Sequence, residues 1–405
     1  MRAPMALLGL TLLALPASAQ NVAVEEFTLD NGMTWLLVPR AEEPHTVSVG
    51  WVAKVGSVNE RPGITGISHF FEHMMFKGTT TIGTRDPDAD AALMARQHDL
   101  KSEMNDIVWG EQYGRYLAGE IDDPWDAEHD TPRLAELRAE LRQVQEQHGE
   151  IIEKNEFDAV YTNAGASGLN AFTSHDLTFY IIGLPANKLE LWAWMESDRL
   201  SDSVFREFYT ERDVVHEERR MRLESSPTGR LDEQFDAMFW MSSPYSWSVI
   251  GWPYDLNSYT RDDFDAYFDI YYRPNNLVGV VVGDFDPAEV KELANRYFGR
   301  IPRGRVAPPP VRTLEMPQLS EKRMAGECDC QDQLEIRYHT VPWNHADSFA
   351  LEIMAEVLNG RTGRLYKGLV EGAEIASSAS VNADARKFAG AFAFRAETKG
   401  EASTD

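Results

Sequence analysis

The pattern of apolar and polar positions divides the chain before any motif is considered. Apolar residues alternate over residues 26–29 and 33–38, on either side of Asp30-Asn31-Gly32. An Asn-Gly pair between two alternating runs predicts a β-hairpin, because both residues tolerate the positive φ of a tight hairpin turn. Val47, Val49 and Trp51 alternate as a third strand, and a helix-length apolar segment follows over residues 63–76. Strands are predicted over 169–172 and 178–184, helices over 188–200 and 205–222, and a fully apolar strand over 277–282. This mixed order predicts an α+β fold.

A stretch of different character interrupts it. Residues 86–156 are rich in Asp, Glu, Arg and Gln; Leu93, Leu100 and Ile107 repeat at seven, and Leu134, Leu137, Leu141 and Val144 at three and four, with Ile151 seven beyond. Two such helices, joined near Asp122-Asp123-Pro124, predict an antiparallel helical hairpin. Its narrow apolar stripe predicts an arm projecting from the body, either a lid or docking element or a solvated insertion with no separate role. Further on, Pro308-Pro309-Pro310 stiffens a linker over residues 302–317. Residues 318–405 hold strand-like runs at 333–340 and 389–395 and a helix-like run at 348–358. That is little for a separate domain, so this last unit is expected either to be truncated or to complete its core against another surface.

The chain has 405 residues and is 43% hydrophobic, enough for a large core. Its formal charge of −26 opposes attraction to nucleic acid or anionic lipid. At the start, Arg2, an apolar run over 5–15 and Ala17-Ser18-Ala19 before Gln20 read as a secretory signal over 1–19. No later run is apolar for long enough to span a membrane, so a periplasmic or secreted protein is expected once the signal is removed. Cys328 and Cys330, two apart, would on a strand face one way, to form a tight disulfide or bind a soft metal; without a role they are plain surface cysteines.

The candidate chemistry lies in His69-Phe70-Phe71-Glu72-His73. At 100° per residue the two histidines fall about 40° apart and Glu72 about 60° to the other side of His69, so all three share one helix face. Two imidazoles there supply most of a zinc site, and Glu72 is placed to act as general base towards metal-activated water. A pair of buried core histidines is the plain alternative. A third ligand is expected from the helix containing Glu211, Val214, Val215 and Glu218, where both carboxylates ride the face that the valines would bury while Glu217 points away. A buried Glu218 needs a cation to answer it.

These motifs resemble the inverted-motif zinc peptidases of the pitrilysin family. His69-Phe70-Phe71-Glu72-His73 with the downstream Glu211-Arg212-Asp213-Val214-Val215-His216-Glu217-Glu218 carries the resemblance, joined by Asn170-Ala171-Phe172-Thr173, Pro274-Asn275-Asn276 and Val281-Val282-Gly283-Asp284. The resemblance implies one zinc per chain held by His69, His73 and Glu218, Glu72 as base, Glu211 behind the ligands, and Asn170 and Ala171 pairing with substrate. It implies two related α/β rolls closing like a clam shell on a peptide or unfolded polypeptide. The catalytic domain would then be 20–301 with the hairpin inserted at 86–156, and 318–405 a partial second roll.

The pattern departs in three ways. His73 and Glu218 are 145 positions apart, a surplus that the inserted hairpin supplies. Val370 and Ser377 stand where many family members carry an Arg and a Tyr that clamp the substrate carbonyl. The second roll ends early, so a second subunit or missing C-terminal sequence would have to complete the chamber. The expected activity is a zinc endopeptidase; a catalytically silent peptide-binding or scaffold subunit is the competing reading.

Overall fold

The computed structural model describes residues 22–42 and 44–404; the predicted signal lies outside them. The Asn-Gly hairpin forms between β1 (Glu25–Thr28) and β2 (Thr34–Pro39), with Phe27 opposite Trp35. With β3 (Thr46–Ala53), β4 (Ser167–Thr173), β5 (Thr178–Pro185) and β6 (Leu277–Gly283) they make a six-stranded sheet in the order β1-β2-β6-β3-β5-β4. Only β2 and β6 run parallel; the other pairings are antiparallel. Two central strands, β3 and β6, therefore stand far apart in sequence from some of their partners, and β4 is left as an edge.

Helices cover this sheet: α1 (Ile67–Met74), α5 (Glu156–Asn163), α6 (Leu189–Asp202), α7 (Phe208–Arg219), α9 (Pro253–Ser258), α10 (Arg261–Tyr271) and α11 (Pro287–Leu293). One continuous core joins them, running from Trp35 and Trp192 under α6 to Phe70, Phe71, Phe264 and Phe268 between α1 and α10. Phe71 stacks on Phe264 with ring centroids 3.4 Å apart, so the side of α1 opposite its histidines is fixed by aromatic packing.

The helical hairpin is present, as α2 (Pro87–Ile107) and α4 (Pro132–Ile151) with a short α3 (Tyr113–Leu117) between them. Leu100, Leu134, Leu137, Leu141 and Val144, all predicted heptad positions, form its seam together with Met104. It does not project. Asn105 Nδ2 donates to the Ser258 carbonyl at 3.0 Å and Gln145 Nε2 to Thr210 Oγ1 at 3.2 Å, so the hairpin lies along α7 and α9. The expectation of an arm failed because the face turned to the body carries Asp90, Gln97, Lys101 and Asn105, all buried, where a polar stripe reads as solvent-facing.

Residues 302–332 hold no helix or strand, but Glu315 pins them by accepting from the backbone nitrogens of Met241, Ser242 and Ser243, just after α8 (Gly229–Phe239). Cys328 and Cys330 form a disulfide. A second sheet follows, β7 (Gln333–Thr340), β8 (Ala376–Ala385) and β9 (Gly390–Thr398) in the order β7-β9-β8, with α12 (Ala346–Leu358) packed on it through Ala355 against Val381 and Phe392. Strand β8 went unpredicted because its sequence, ASSASVNADA, is mostly small and polar.

Candidate metal centre

Helix α1 begins at Gly66, whose φ of +87° and whose contact with Ile250 exclude a side chain: a Cβ there would sit 2.4 Å from the Ile250 carbonyl oxygen. Glu60 closes the helix start, its two oxygens each accepting a backbone N–H, from Gly66 and Ser68, at 2.8 Å. Burial nonetheless pushes the Glu60 carboxyl up to about 8, against those hydrogen bonds. Phe70, Phe71 and Met74 turn inward, and His69, Glu72 and His73 consequently face a groove.

Helix α7 crosses α1 and brings its carboxylates to the same place. Glu218 Oε2 lies 3.6 Å from His69 Nε2 and 3.3 Å from His73 Nε2, and among the described residues His69, His73 and Glu218 form a cluster able to hold a metal, with donor atoms within 4.8 Å of one another. Ligands about 2.1 Å from a tetrahedral zinc stand about 3.4 Å apart, close to the two distances from Glu218 to the imidazoles. Glu218 Oε2 is buried yet makes no hydrogen bond, whereas its other oxygen is held by Arg222 at 2.7 Å. A buried acceptor without a donor, aimed at two imidazole nitrogens, fits a cation. His73 Nδ1 meets Glu211 Oε1 at 2.9 Å, a contact that leaves Nε2 as the nitrogen facing Glu218. Lys77 in turn holds Glu211 Oε2 at 2.6 Å.

The electrostatics split the two histidines. Burial, then the neighbouring His73, lower His69 to about 4, leaving a neutral ring with a lone pair to offer. Burial also opposes charge on His73, but the hydrogen bond to Glu211 and the negative charges of Glu211 and Glu218 outweigh it and raise that ring to about 9. Glu72 is raised by burial, opposed by a 2.6 Å hydrogen bond from Thr173 Oγ1 to its Oε2.

Every predicted site residue reaches this groove. Asn170 and Ala171 pair with Ile181 and Tyr180 of β5, and among the described residues the opposite edge of β4 is open. Two cavities of about 560 and 450 Å³ meet at Glu72, His73 and Ala171, giving one groove along β4 across the cluster. Val215 is fully buried, as expected of that helix face, but Val214, expected to be buried with it, is 46% exposed and lines the groove beside Glu211. The carboxylates thus sit at the margin of the buried face, where a ligand can still approach. Thr173, Lys77 and Arg222 were not singled out from sequence; opposite charge to Glu211 and Glu218 was the only signal for the last two. In the second unit Val370 lies in a turn of helix over Tyr366–Gly372 and Ser377 is exposed on β8.

An α+β roll that presents a His-x-x-Glu-His helix across from a carboxylate helix defines a class, and family models match it on both sides. Residues 36–102 match the insulinase model of peptidase family M16, and residues 258–405 match the model described as the peptidase M16 inactive domain. The chain belongs to peptidase family M16, the pitrilysin family. It is 27% identical over 364 residues to the zinc protease PqqE of Helicobacter pylori, covering 88% of this chain and 65% of that relative. Among solved structures it is similar to a protease from Helicobacter pylori (TM-score 0.71, 24% identity, 94% of this chain and 76% of that one). It is also similar to the periplasmic protease PqqL of Escherichia coli (TM-score 0.59, 18% identity, 94% and 36%). No helix among the described residues is long and apolar enough to cross a membrane.

Proposed function

We propose that the chain is a zinc-dependent endopeptidase of peptides or unfolded polypeptides, with His69, His73 and Glu218 as the metal ligands. The observation that carries this reading is the unpartnered Glu218 Oε2 facing both imidazoles. A zinc ion held there would supply Lewis acidity, polarising a carbonyl oxygen and acidifying water. The other work falls to the protein. An extended peptide would add to the open edge of β4 at Asn170 and Ala171, backbone to backbone, which gives affinity with little demand on sequence. Thr173 holds one oxygen of Glu72, leaving Oε1 to take a proton from water and return it to the leaving nitrogen. Burial raises this carboxyl, which suits a group that must both accept and donate. Glu211 keeps the His73 ring turned for binding.

Glu72→Gln tests the assignment: zinc content should match the parent while peptide turnover falls by about 10²–10⁴-fold. Equal turnover would refute the role of Glu72. A second reading, a catalytically silent subunit, draws on the match of residues 258–405 to the inactive-domain model and on Val370 and Ser377. A silent subunit would purify without stoichiometric zinc. A secreted or periplasmic setting is supported by the likeness to a periplasmic protease.

A further inference from the structure

Arg206, just before α7, is 1% exposed and donates from all three nitrogens. Nε bonds Asp90 Oδ2 at 2.8 Å, Nη1 bonds the carbonyls of Ile82 at 2.7 Å and Lys77 at 3.2 Å, and Nη2 bonds the carbonyl of Thr79 at 2.5 Å. The loop that follows α1 is thus wrapped around one guanidinium. Its glycines are part of the fit: Gly78 and Gly83 have φ of +85° and +104°, and a Cβ on Gly83 would sit 2.9 Å from Arg206 Nη1. Both neighbours of Arg206 are left-handed without being glycine, Phe205 at φ 53° and Glu207 at φ 55°. Such strain persists only where the surroundings over-determine the backbone. Glu207 is also the residue from which α7 starts.

The other end of this arrangement belongs to the inserted hairpin. Asp90 lies on α2, its second oxygen 2.7 Å from His148 Nε2 on α4, and Gln97 Nε2 lies 2.9 Å from His148 Nδ1. All three are at most 3% exposed, so the network is fully satisfied away from solvent and fixes one geometry. At the near end, Lys77 Nζ lies 2.6 Å from Glu211 Oε2 and 3.3 Å from Glu207 Oε2, and Glu211 meets His73. The hairpin therefore reaches the candidate metal centre through a continuous set of contacts, from Asp90 to Arg206, to the loop, to Lys77, to Glu211.

We infer that Lys77 is a positioning residue for the metal centre and that the inserted hairpin holds it in place through Asp90 and Arg206. The inference rests on the metal-centre reading above. With Lys77 removed, Glu211 loses the partner of its second oxygen and no longer fixes the His73 ring, whose orientation governs metal affinity. Removal of Asp90's charge loosens Arg206 and the loop, a step further away.

The test uses the full chain, with zinc affinity read by chelator competition and the ligand field by the visible spectrum of cobalt-substituted protein. Lys77→Met should weaken zinc about 10–100-fold and shift the cobalt bands, while Lys77→Arg stays within about threefold of the parent. Asp90→Asn, nearly the same shape, should weaken zinc less than Lys77→Met does. Thermal unfolding of the metal-free proteins reports whether each has folded. A folded Lys77→Met with the parent's affinity and spectrum overturns the inference. Should Lys77→Met not fold, parent-like affinity in Asp90→Asn overturns it instead. A parent chain that takes up no zinc overturns the metal-centre reading and this inference together, whereas a zinc-binding parent with an indifferent Lys77→Met overturns this inference alone.

Discussion

In the six-stranded sheet, β3 lies between β6 and β5 with Val49, Trp51 and Ala53 buried under helices, and α1 is wedged into an aromatic core. In the three-stranded sheet, β7 leaves Leu334, Ile336 and Tyr338 exposed, and α12 turns Phe349, Ile353 and Val357 to the outside. Both units use a sheet with helices, yet the first buries the apolar faces of its central strands while the second leaves one face of β7 and of α12 exposed. The groove with His69, Glu72 and His73 belongs to the covered unit. Groups that must be held within fractions of an ångström need neighbours that cannot move, and a close-packed interior supplies them. The second unit instead relies on its seam with the first, where the Lys387 backbone N–H donates to Asp176 Oδ2 at 3.0 Å and the Arg386 guanidinium lies over the rings of Trp240 and Tyr245.

This contrast can be broken most severely at the groove itself. His69→Ala should abolish stoichiometric zinc and turnover together while leaving the fold intact, checked by metal analysis and far-UV circular dichroism; retained zinc would detach the chemistry from the covered unit. Next in size, Phe71→Ala should destabilise the first unit by about 3–5 kcal/mol in denaturant unfolding, because its neighbours cannot close the cavity. Phe392→Ala, in the smaller core under α12, should cost less than Phe71→Ala, and an equal loss would deny the difference between the units.

The seam gives a pH-dependent effect. Desolvation and the positive charge of Arg386 lower His175, which is hydrogen-bonded to Ser57 Oγ at 2.7 Å, to about 3. The folded value lies below the ordinary 6.5, so the unfolded chain takes up the proton first, and stability must fall as pH drops from about 6.5 towards about 3. His175→Gln should flatten that part of the stability profile. Smallest of all, Ile353→Ser on the outer face of α12 should change stability by no more than about 0.5 kcal/mol.

What sequence disclosed and what it hid follow from how far each interaction reaches. The Asn-Gly hairpin, the alternating strands and the heptad seam of α2 and α4 are local patterns, and all appear where expected. The His-x-x-Glu-His helix was legible because its three residues share one turn of backbone, and Glu218 because helix geometry sets it beside Glu211. Buried charges were invisible. Glu196 and Arg199, three apart on α6, look like an exposed helical pair, yet both are buried, with Trp51 and Tyr161 donating to Glu196. The polar face of α2 misled in the same way, and Thr173, 101 positions from Glu72, could be found only in three dimensions.

The flank of β4 away from β5 is unpaired among the described residues. An unpaired strand is a template for any extended chain, including another molecule of the same protein. Here the register slips between Ser167 and Asn170, and every copy carries a formal charge of −26. Mutual repulsion would keep neighbours off that border at low ionic strength, and added salt would weaken the guard, so colloidal behaviour on a salt gradient bears directly on how this strand stays available.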